Sequence, residues 1–326
     1  MKLPYTIALS AGLAIILFVA LGYYVWLAPV GSGEPRQFTV QAGDSISVIA
    51  THLQQDGLIK SAWGFKFYLK ITGQVIVQPG TYSLSPAHAT PRIASTIASG
   101  DTSGVTVTIP EGYTLSQLAT LLDERAVAER SELLAVADDF PPDYDFLKFR
   151  PAGRSLEGFL FPDTYKFFKG DATLAIRKLL DNFSLKYKNE IEPVLGDQDL
   201  FEVLIIASLI EREAKTQTDR EQIAAVFYNR LEAGMRLDVD ATVRYITDNW
   251  TEPITRADLA IDSPYNTRRY AGLPPGPICN PGLAAITAAL NPPPSDYYYY
   301  LTDLNGVTHY AETLAEHNQN KVNYLL

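Results

Sequence analysis

Two glutamates end an otherwise apolar run in the segment LIIASLIEREA, at residues 204–214. A carboxyl group that apolar neighbours keep away from water holds its proton to a higher pH, and it can then donate that proton to a reacting group. On a helix, residues two apart point about 200° away from each other. Glu211 and Glu213 therefore cannot form a carboxylate pair at one reaction centre.

Helical periodicity alone does not choose between the two glutamates. Glu211 continues the helix face that carries Ser208, whereas Glu213 continues the face that carries Leu209. Lys215 lies one turn beyond Glu211, so an ordinary surface ion pair worth about 0.2–0.5 kcal/mol is the competing interpretation. The choice depends on the elements that surround this helix.

The C-terminal half of the chain is rich in helix signals. Apolar residues at helical spacing, N-cap residues, and a proline or glycine at the far end predict five helices, and Asp303–Gly306 predict a hairpin turn. The helices are expected at 173–187, 200–214, 218–234, 280–291 and from 313 onwards, and the hairpin strands at 297–302 and 307–310. This part is predicted to be an α-rich domain with a small sheet.

Two earlier segments repeat one pattern at an offset of 69 residues. Residues 39–53 read TVQAGDSISVIATHL, and residues 108–122 read TIPEGYTLSQLATLL. Each predicts a short strand, a glycine turn, an N-cap at Ser45 or Thr114, and an amphipathic helix. We expect the two segments to adopt the same strand–turn–helix shape.

The first copy, within FTVQAGDSISVIATHLQQDGLI, resembles a LysM module. The resemblance implies a small α/β module that binds glycans containing N-acetylglucosamine. The competing interpretation is a support domain that binds no glycan tightly.

The N-terminal segment from Tyr5 to Val30 contains no charged residue. About 20 apolar residues span a bilayer as a helix, and the aromatic cluster near the end of this run suits the headgroup level. A cleavable signal peptide is the alternative, but no small-x-small cleavage site precedes the aromatic cluster. We therefore expect an uncleaved anchor at residues 1–30 and a linker at 31–37. Lys2 and the terminal amine favour the inside, so the bulk of the chain is expected outside the cytoplasmic membrane.

The composition narrows the classes of ligand. The net charge of −10 and the pI near 4.9 argue against nucleic acid, whose binding relies on clustered Lys and Arg. Cys279 is the lone cysteine, which excludes an intramolecular disulfide and a thiolate metal cluster. The histidines show no metal-ligand spacing. We expect neither a metal nor a cofactor.

Four motifs together indicate a family. They are EGFLFPDTYKF at 157–167, ASLIEREA at 207–214, AAVFYNRLEAGMRLDVDATVRY at 224–245, and SPYNTRRYAGLPPGPICNPG at 263–282. Their order and spacing resemble the endolytic murein transglycosylase family (MltG/YceG-like) over nearly the whole chain. Two positions depart from the family pattern: Arg268 stands where Tyr is frequent, and Ala241 stands where Pro often follows the Asp.

The resemblance implies a lytic transglycosylase. Such an enzyme cleaves the β-1,4 bond between N-acetylmuramic acid and N-acetylglucosamine in nascent glycan strands and leaves 1,6-anhydro ends. The resemblance places the catalytic residue at Glu211, with peptidoglycan strands, the cytoplasmic membrane and cell-wall synthases as partners. The candidate substrate-binding residues within or beside the motifs are Ser208, Asn229, Arg230, Asp240, Tyr265 and Asn266.

Two other functions are kept open. One is a muramidase that adds water and uses Glu157 or Asp163 as a second carboxylate. The other is a non-catalytic glycan-binding scaffold of the wall-synthesis machinery, in which Glu211 is dispensable.

These interpretations combine into one predicted architecture of the α+β class. A transmembrane helix at 1–30 and a linker at 31–37 precede a LysM-like module at 38–103. An α-rich catalytic domain with a small sheet follows at 104–326, and it contains the second copy of the repeat.

We expect the N-terminal segment to remain attached to the protein, because its apolar run is long enough to span a bilayer and lacks a cleavage site. Peptide mass spectrometry of the membrane and soluble fractions measures this. A freely soluble protein that begins after residue 25 would contradict the expectation.

Overall fold

The computed structural model describes residues 22–23, 25–33, 35–41, 43–73, 77–100, 104–168 and 172–325. The chain divides into two compact units, Met1–Gly104 and Val105–Leu326. Most of the apolar run expected to be an anchor, residues 1–21 and residue 24, lies outside the described residues. Among the helices of the described part, none has the length and apolar character needed to cross a membrane.

From residue 35 onwards, the described part of the first unit contains two strands and three helices. They are β1 (Arg36–Val40), α1 (Ile46–Gln55), α2 (Ala62–Thr72), β2 (Gly80–Leu84) and α3 (Thr90–Ser99). The strands pair antiparallel, with Phe38 opposite Tyr82. Apolar side chains from the helices and strands close a core of their own, in which the Tyr82 ring is fully buried. Burial of this apolar area is the main stabilising term for the unit.

The two repeated segments contain the same series of elements. The second copy forms β3 (Gly104–Thr108) and α4 (Leu115–Glu124), so the helix starts and ends keep the sequence offset and the strands agree with it to within one residue. Gly43 and Gly112 have φ angles of 95° and 79°, which glycine adopts without the steric cost that other residues meet.

The helix caps and buried faces of the two copies also correspond. Ser45 accepts a hydrogen bond from the Val48 amide, and Thr114 accepts one from the Gln117 amide. Each cap satisfies a backbone donor that the helix itself leaves unpaired. Leu53 and its counterpart Leu122 are both fully buried.

The second unit is mainly helical. After β3 and α4 it contains α5 (Arg130–Asp138), β4 (Thr164–Phe168), α6 (Ala172–Lys186), α7 (Glu192–Leu195), α8 (Leu200–Glu213), α9 (Gln217–Glu232), α10 (Asp240–Thr247), α11 (Arg256–Leu259), α12 (Leu283–Leu290), β5 (Tyr299–Thr302), β6 (Thr308–Ala311) and α13 (Leu314–Tyr324). Strand β3 pairs with β4, and β5 pairs with β6 as an antiparallel hairpin. The mixed α+β class and the C-terminal hairpin agree with the sequence analysis.

Helix α8 lies at the centre of the second unit. Every residue from Leu200 to Ile210 except the exposed Glu202 is buried, as a helix that is apolar on nearly all sides predicts. The Asp199 carboxylate begins the helix by accepting hydrogen bonds from the Phe201 and Glu202 amides. Helices α9 and α12 pack against α8. The two glutamates thus stand where a buried helix reaches the edge of the core.

Two predicted helix starts are wrong in detail. Helix α9 begins before residue 218, because Thr216 forms a capping box with Asp219. Helix α12 is capped at Gly282 rather than at Asn280, since the Asn280 side chain is used in buried hydrogen bonds elsewhere. The capping box predicted for the last helix, Thr313 with Glu316, is confirmed.

We expect Leu53→Ala to lower the free energy of unfolding by about 2–5 kcal/mol, because the truncation leaves a cavity in a closed core. Val48, on the same helix, is 39% exposed, so Val48→Ala is the matched control and should cost far less. Denaturant unfolding of the two variants measures the difference. Equal losses would mean that α1 does not bury the face described here.

Candidate active site

The Glu211 side chain is 7% exposed and lies where three segments meet. Its Oε2 accepts a hydrogen bond of 3.0 Å from the backbone N–H of Gly282, the N-cap of α12. Its Oε1 lies 3.8 Å from Nη2 of Arg220 on α9. Its Cγ lies within van der Waals reach of Gly112, in the turn before α4. Lys215, the partner expected for an ordinary surface pair, forms no ion pair with Glu211 in the described structure.

Burial sets the protonation of Glu211. Loss of water around the carboxyl raises its pKa, because the charged form loses most from desolvation. The Gly282 N–H, Arg220 and Arg212 lower the pKa, and the nearby Glu111 carboxylate raises it. The net effect is a pKa above the ordinary value, which suits a group that must hold a proton before giving it away.

Glu213 faces different surroundings, as its position on the helix predicts. Its Oε2 accepts a hydrogen bond of 3.0 Å from the Tyr300 hydroxyl of β5. Burial raises the pKa of Glu213 to about 7. A cavity of about 560 Å³ borders Glu213, and Asp240, Arg268 and Tyr300 also line it. Glu211 and Glu213 therefore both have a raised pKa, and they lie at separate places.

Glu157 is a third buried carboxyl, and its contacts hold segments together. Both of its oxygens accept hydrogen bonds from the Leu115 amide, at 2.9 and 3.0 Å. Oε1 also accepts from Nδ2 of Asn280, at 3.1 Å. Burial raises the pKa of Glu157 to about 8 against the lowering effect of hydrogen bonds from the Leu115 amide and the Tyr245 hydroxyl. A carboxyl whose oxygens already accept hydrogen bonds from the first turn of a helix and from a side-chain amide is poorly placed to be a nucleophile.

Asn280 is fully buried and joins the loops around Glu211. Its Oδ1 accepts from the Gly158 and Leu160 amides, both at 2.9 Å. Its backbone bonds to the turn before α4: the Asn280 amide donates to the Tyr113 carbonyl, and the Asn280 carbonyl accepts from the Gly112 amide. The two proline-containing loops singled out by sequence, 156–167 and 262–282, are therefore brought together with the second repeat.

Three residues near Glu211 were missed by the sequence analysis. Arg212 donates to the Gly112 carbonyl at 3.2 Å and stacks at 3.8 Å on the Trp250 ring. The side chain of Arg220 is 16% exposed. Buried nitrogens of Arg220 (Nε) and Trp250 (Nε1) have no hydrogen-bond partner among the described residues. The third, Glu111, packs against Gly282. The sequence contains one feature that could have identified Glu111: its carboxylate lies beside the glycine of the second repeat.

Ser208 and Asn266, both predicted to bind substrate, are fully buried, and their polar groups bond within the protein. The Ser208 hydroxyl donates to the Ile205 carbonyl and accepts from the Ile278 amide. The Asn266 amide group donates to the carbonyls of Leu259 and Ile261. Both residues support the loop that carries Gly282, and neither offers a surface to a glycan.

Asn229 and Arg230 hold the C-terminal hairpin. Asn229 Nδ2 donates to the carbonyls of Ser295 and Tyr297. The buried Arg230 donates to the carbonyls of Tyr298 and Leu237, at 2.6 and 2.7 Å. These bonds give both side chains a structural function, although Arg230 also borders the cavity at Glu213.

Asp240 and Tyr265 lie in separate cavities. Asp240 pairs with Arg268 at 2.5 Å beside the cavity of Glu213. Tyr265 lies with Tyr245 at the wall of a cavity of about 520 Å³ in front of Glu157. The six candidate ligands thus do not form one cluster around Glu211.

Within the described residues, no group of three or more His, Cys, Asp or Glu side chains is arranged to hold a metal ion. Cys279 is a buried free thiol whose Sγ lies 3.4 Å from the Ser208 carbonyl oxygen. Burial raises the pKa of this thiol well above its usual value, so it is neutral beside Glu211.

Comparison with known proteins supplies the family. The YceG-like family matches residues 38–323. The endolytic murein transglycosylase of Bacillus subtilis (strain 168) is 35% identical over 303 residues, which cover 88% of this chain and 84% of that protein. The endolytic murein transglycosylase of Streptococcus pneumoniae serotype 2 (strain D39 / NCTC 7466) is 30% identical over 354 residues, or 94% of this chain and 64% of that protein.

A solved structure is similar as well. The 2.6 Å crystal structure of a yceG-like protein from Listeria monocytogenes matches 88% of this chain and 99% of that chain, with a TM-score of 0.60 and 35% sequence identity. The fold and the arrangement of motifs define a mixed α+β protein with a buried acid on a central helix. The chain belongs to the YceG-like family.

Glu213→Gln should flatten part of the pH dependence of stability. The folded-state pKa of Glu213, about 7, lies above the ordinary value of 4.5. Protonated Glu213 therefore contributes to the stability of the folded wild type at low pH, and this contribution is lost as the pH rises from about 4.5 to 7. Across that pH window we expect the free energy of unfolding of the variant to rise by about 1–3 kcal/mol relative to that of the wild type. Denaturant unfolding at pH 5 and pH 8 measures it. A difference between the two proteins that stays constant with pH would contradict the raised pKa.

Proposed function

We propose that this protein is an endolytic lytic transglycosylase that cleaves the bond between N-acetylmuramic acid and N-acetylglucosamine in peptidoglycan. One observation carries the proposal: Glu211, at the end of the central helix, is a buried glutamate of raised pKa whose carboxyl is fixed by the Gly282 N–H. The curated relatives bear the name of this activity.

One carboxyl suffices for this reaction. Glu211 gives its proton to the glycosidic oxygen as the bond from that oxygen to C1 of the muramic acid breaks. The C6 hydroxyl oxygen of the same sugar then bonds to C1, and its proton passes to the Glu211 carboxylate. The products are a 1,6-anhydro end and a free hydroxyl on the next sugar, and Glu211 is protonated again. No water enters, so the second carboxylate of an ordinary glycosidase is not needed.

The groups around Glu211 suit the two halves of this cycle. Burial favours the protonated acid before cleavage. The Gly282 N–H and Arg220 stabilise the carboxylate that exists between the two proton transfers. The buried Nε of Arg220 and Nε1 of Trp250 are donors that fit hydroxyl or acetamido oxygens of a sugar. Proton transfer of this kind contributes roughly 10²–10⁴ in rate.

We assign a glycan-binding function to the first unit. Its order of strand, two helices and antiparallel strand, together with the sequence FTVQAGDSISVIATHLQQDGLI, supports the LysM-like interpretation. In this proposal the first unit binds a glycan strand and the second unit cleaves it. Binding of chitin oligomers by the full chain tests this.

We place the protein in the cytoplasmic membrane, anchored by residues 1–30, with the catalytic unit outside. The uncharged run from Tyr5 to Val30 supports the placement. There it acts on nascent strands beside the cell-wall synthases, which are its proposed protein partners.

The hydrolytic alternative has weaker support. The Glu157 carboxyl is occupied by Leu115 and Asn280. The Asp163 carboxylate accepts from the Asn182 side chain and from the Thr164 amide. Neither is a free base for water. A scaffold without activity has weaker support, because the curated relatives bear the name of an enzyme.

Glu211→Gln should abolish glycan cleavage, because the amide keeps the size of the side chain but cannot carry the proton. We expect at least about a 100-fold loss of rate, with folding and glycan binding retained. Glu213→Gln is the matched control on the same helix and should be milder. Mass spectrometry of digested strands measures the rate and the ends: anhydro ends support the proposal.

Other outcomes would contradict it. Reducing ends from the wild type would indicate a hydrolase. An inactive Glu213→Gln protein beside an active Glu211→Gln protein would exchange the roles of the two residues. Wild-type rates of cleavage in both variants would require a proton donor elsewhere.

A further inference from the structure

Glu111 and Glu211 contact the same residue. The Gly282 amide donates to Glu211, and the carboxyl of Glu111 packs so closely on the Gly282 α-carbon that any side chain there would overlap it. A methyl group added at Gly112, the neighbour of Glu111, would lie 3.6 Å from Cγ of Glu211. The turn before α4 therefore places a second carboxylate beside the buried one.

The Glu111 carboxylate stands without a cation of its own. In the described part of the chain, none of the ion pairs includes Glu111, and Glu111 is exposed. Maintaining a carboxylate beside another acid opposes ionisation of the buried partner. The contact costs the folded state something, and nothing in the core benefits from it.

Four titratable or charged groups face Glu211 from the surrounding elements. They are Glu111 before α4, Arg212 on α8, Arg220 on α9, and the Cys279 thiol before α12. Both arginines favour the ionised form of Glu211, and the thiol is neutral. Glu111 is the one charged group of the four that opposes ionisation.

We propose that Glu111 is a positioning residue of this site: its carboxylate, held against Gly282, keeps the catalytic proton on Glu211 near neutral pH against the pull of the two arginines. The inference rests on the proposed function of Glu211 as the acid. It adds a second acidic residue to the site. This residue acts through its negative charge and does not transfer a proton.

The repeat supports a role specific to the second copy. Glu111 aligns with Ala42 of the first copy, while the following glycine is shared. The strand–turn–helix shape therefore does not require a carboxylate at this position. Its presence beside Glu211 is a property of the site.

The direct test is the protonation of Glu211 in the full chain. Carbon-13 NMR of labelled glutamate, with the Glu211 signal assigned by its loss in Glu211→Gln, follows the titration. We expect the midpoint to move to lower pH in Glu111→Gln, because a negative charge beside Glu211 has gone. A midpoint that stays in place would overturn the proposal whether or not the protein cleaves glycan.

The pH profile of cleavage gives the matching kinetic result. Loss of the protonated acid sets the alkaline limb, so that limb should move to lower pH in Glu111→Gln. We expect a three- to thirtyfold lower rate at pH 8, on the order of a Coulomb interaction at short range, and a rate close to wild type at low pH. Glu124→Gln removes an exposed charge from α4 and should leave the profile unchanged.

Gly282→Ala separates charge from structure. Gly282 has φ −76° and ψ 167°, which alanine adopts freely, and the variant keeps the N–H that binds Glu211. Its methyl group displaces Glu111 without removing it, so the alkaline limb should move as in Glu111→Gln. The double variant should show no further movement.

The outcomes distinguish this inference from the proposed function. A loss of rate that is equal at all pH values would mean that Glu111 contacts substrate or supports the fold, and the inference fails. A moved NMR midpoint in a protein that releases no anhydro ends would keep the coupling and overturn the function. Reducing ends that disappear in Glu111→Gln at every pH would make Glu111 the base for water, and both proposals fail.

Discussion

The amide side chain of Asn280 is the contact on which the site depends. An amide offers two donors and a two-lone-pair acceptor, and this one is fully buried with partners on two other segments. It joins the loop that begins near Gly158 and the turn before α4 to its own loop before α12. A buried polar group with its partners removed is costly, so this network fixes one arrangement of the three segments.

That arrangement controls the electrostatics of a single carboxyl. The core of the second unit keeps water from Glu211, while the backbone of Gly282 and the side chain of Arg220 reach it from outside the helix. The proposed cycle uses both the desolvated acid and its stabilised conjugate base, and the surroundings of Glu211 contain groups that favour each form.

The sequence predicted the central helix, the repeat and the hairpin because each has a local signature. The apolar run around Leu204, the glycine turns and the Asp303–Gly306 turn need no knowledge of distant contacts. The separate faces of Glu211 and Glu213 followed from helix geometry alone. The choice between them did not, and it came from the family resemblance.

The remaining site could not be predicted because it depends on long-range hydrogen bonds. Asn280 looked like a helix cap, and only its partners 120 or more residues earlier show otherwise. Ser208 shared a helix face with Glu211, yet its hydroxyl is used by the Ile278 amide. Periodicity places a side chain on a face and says nothing about which backbone will later cover it.

The strand–turn–helix unit has a further consequence for how such a site arises. The shared cap, turn glycine and buried leucine stabilise the frame in both copies, so the residue just before the glycine is free to vary. In one copy it is Ala42, and in the other it is Glu111. The chain thus contains the same sequence pattern twice, once with an apolar side chain before the glycine and once with a carboxylate, so a site loop can arise from a unit that its own cap and core already stabilise.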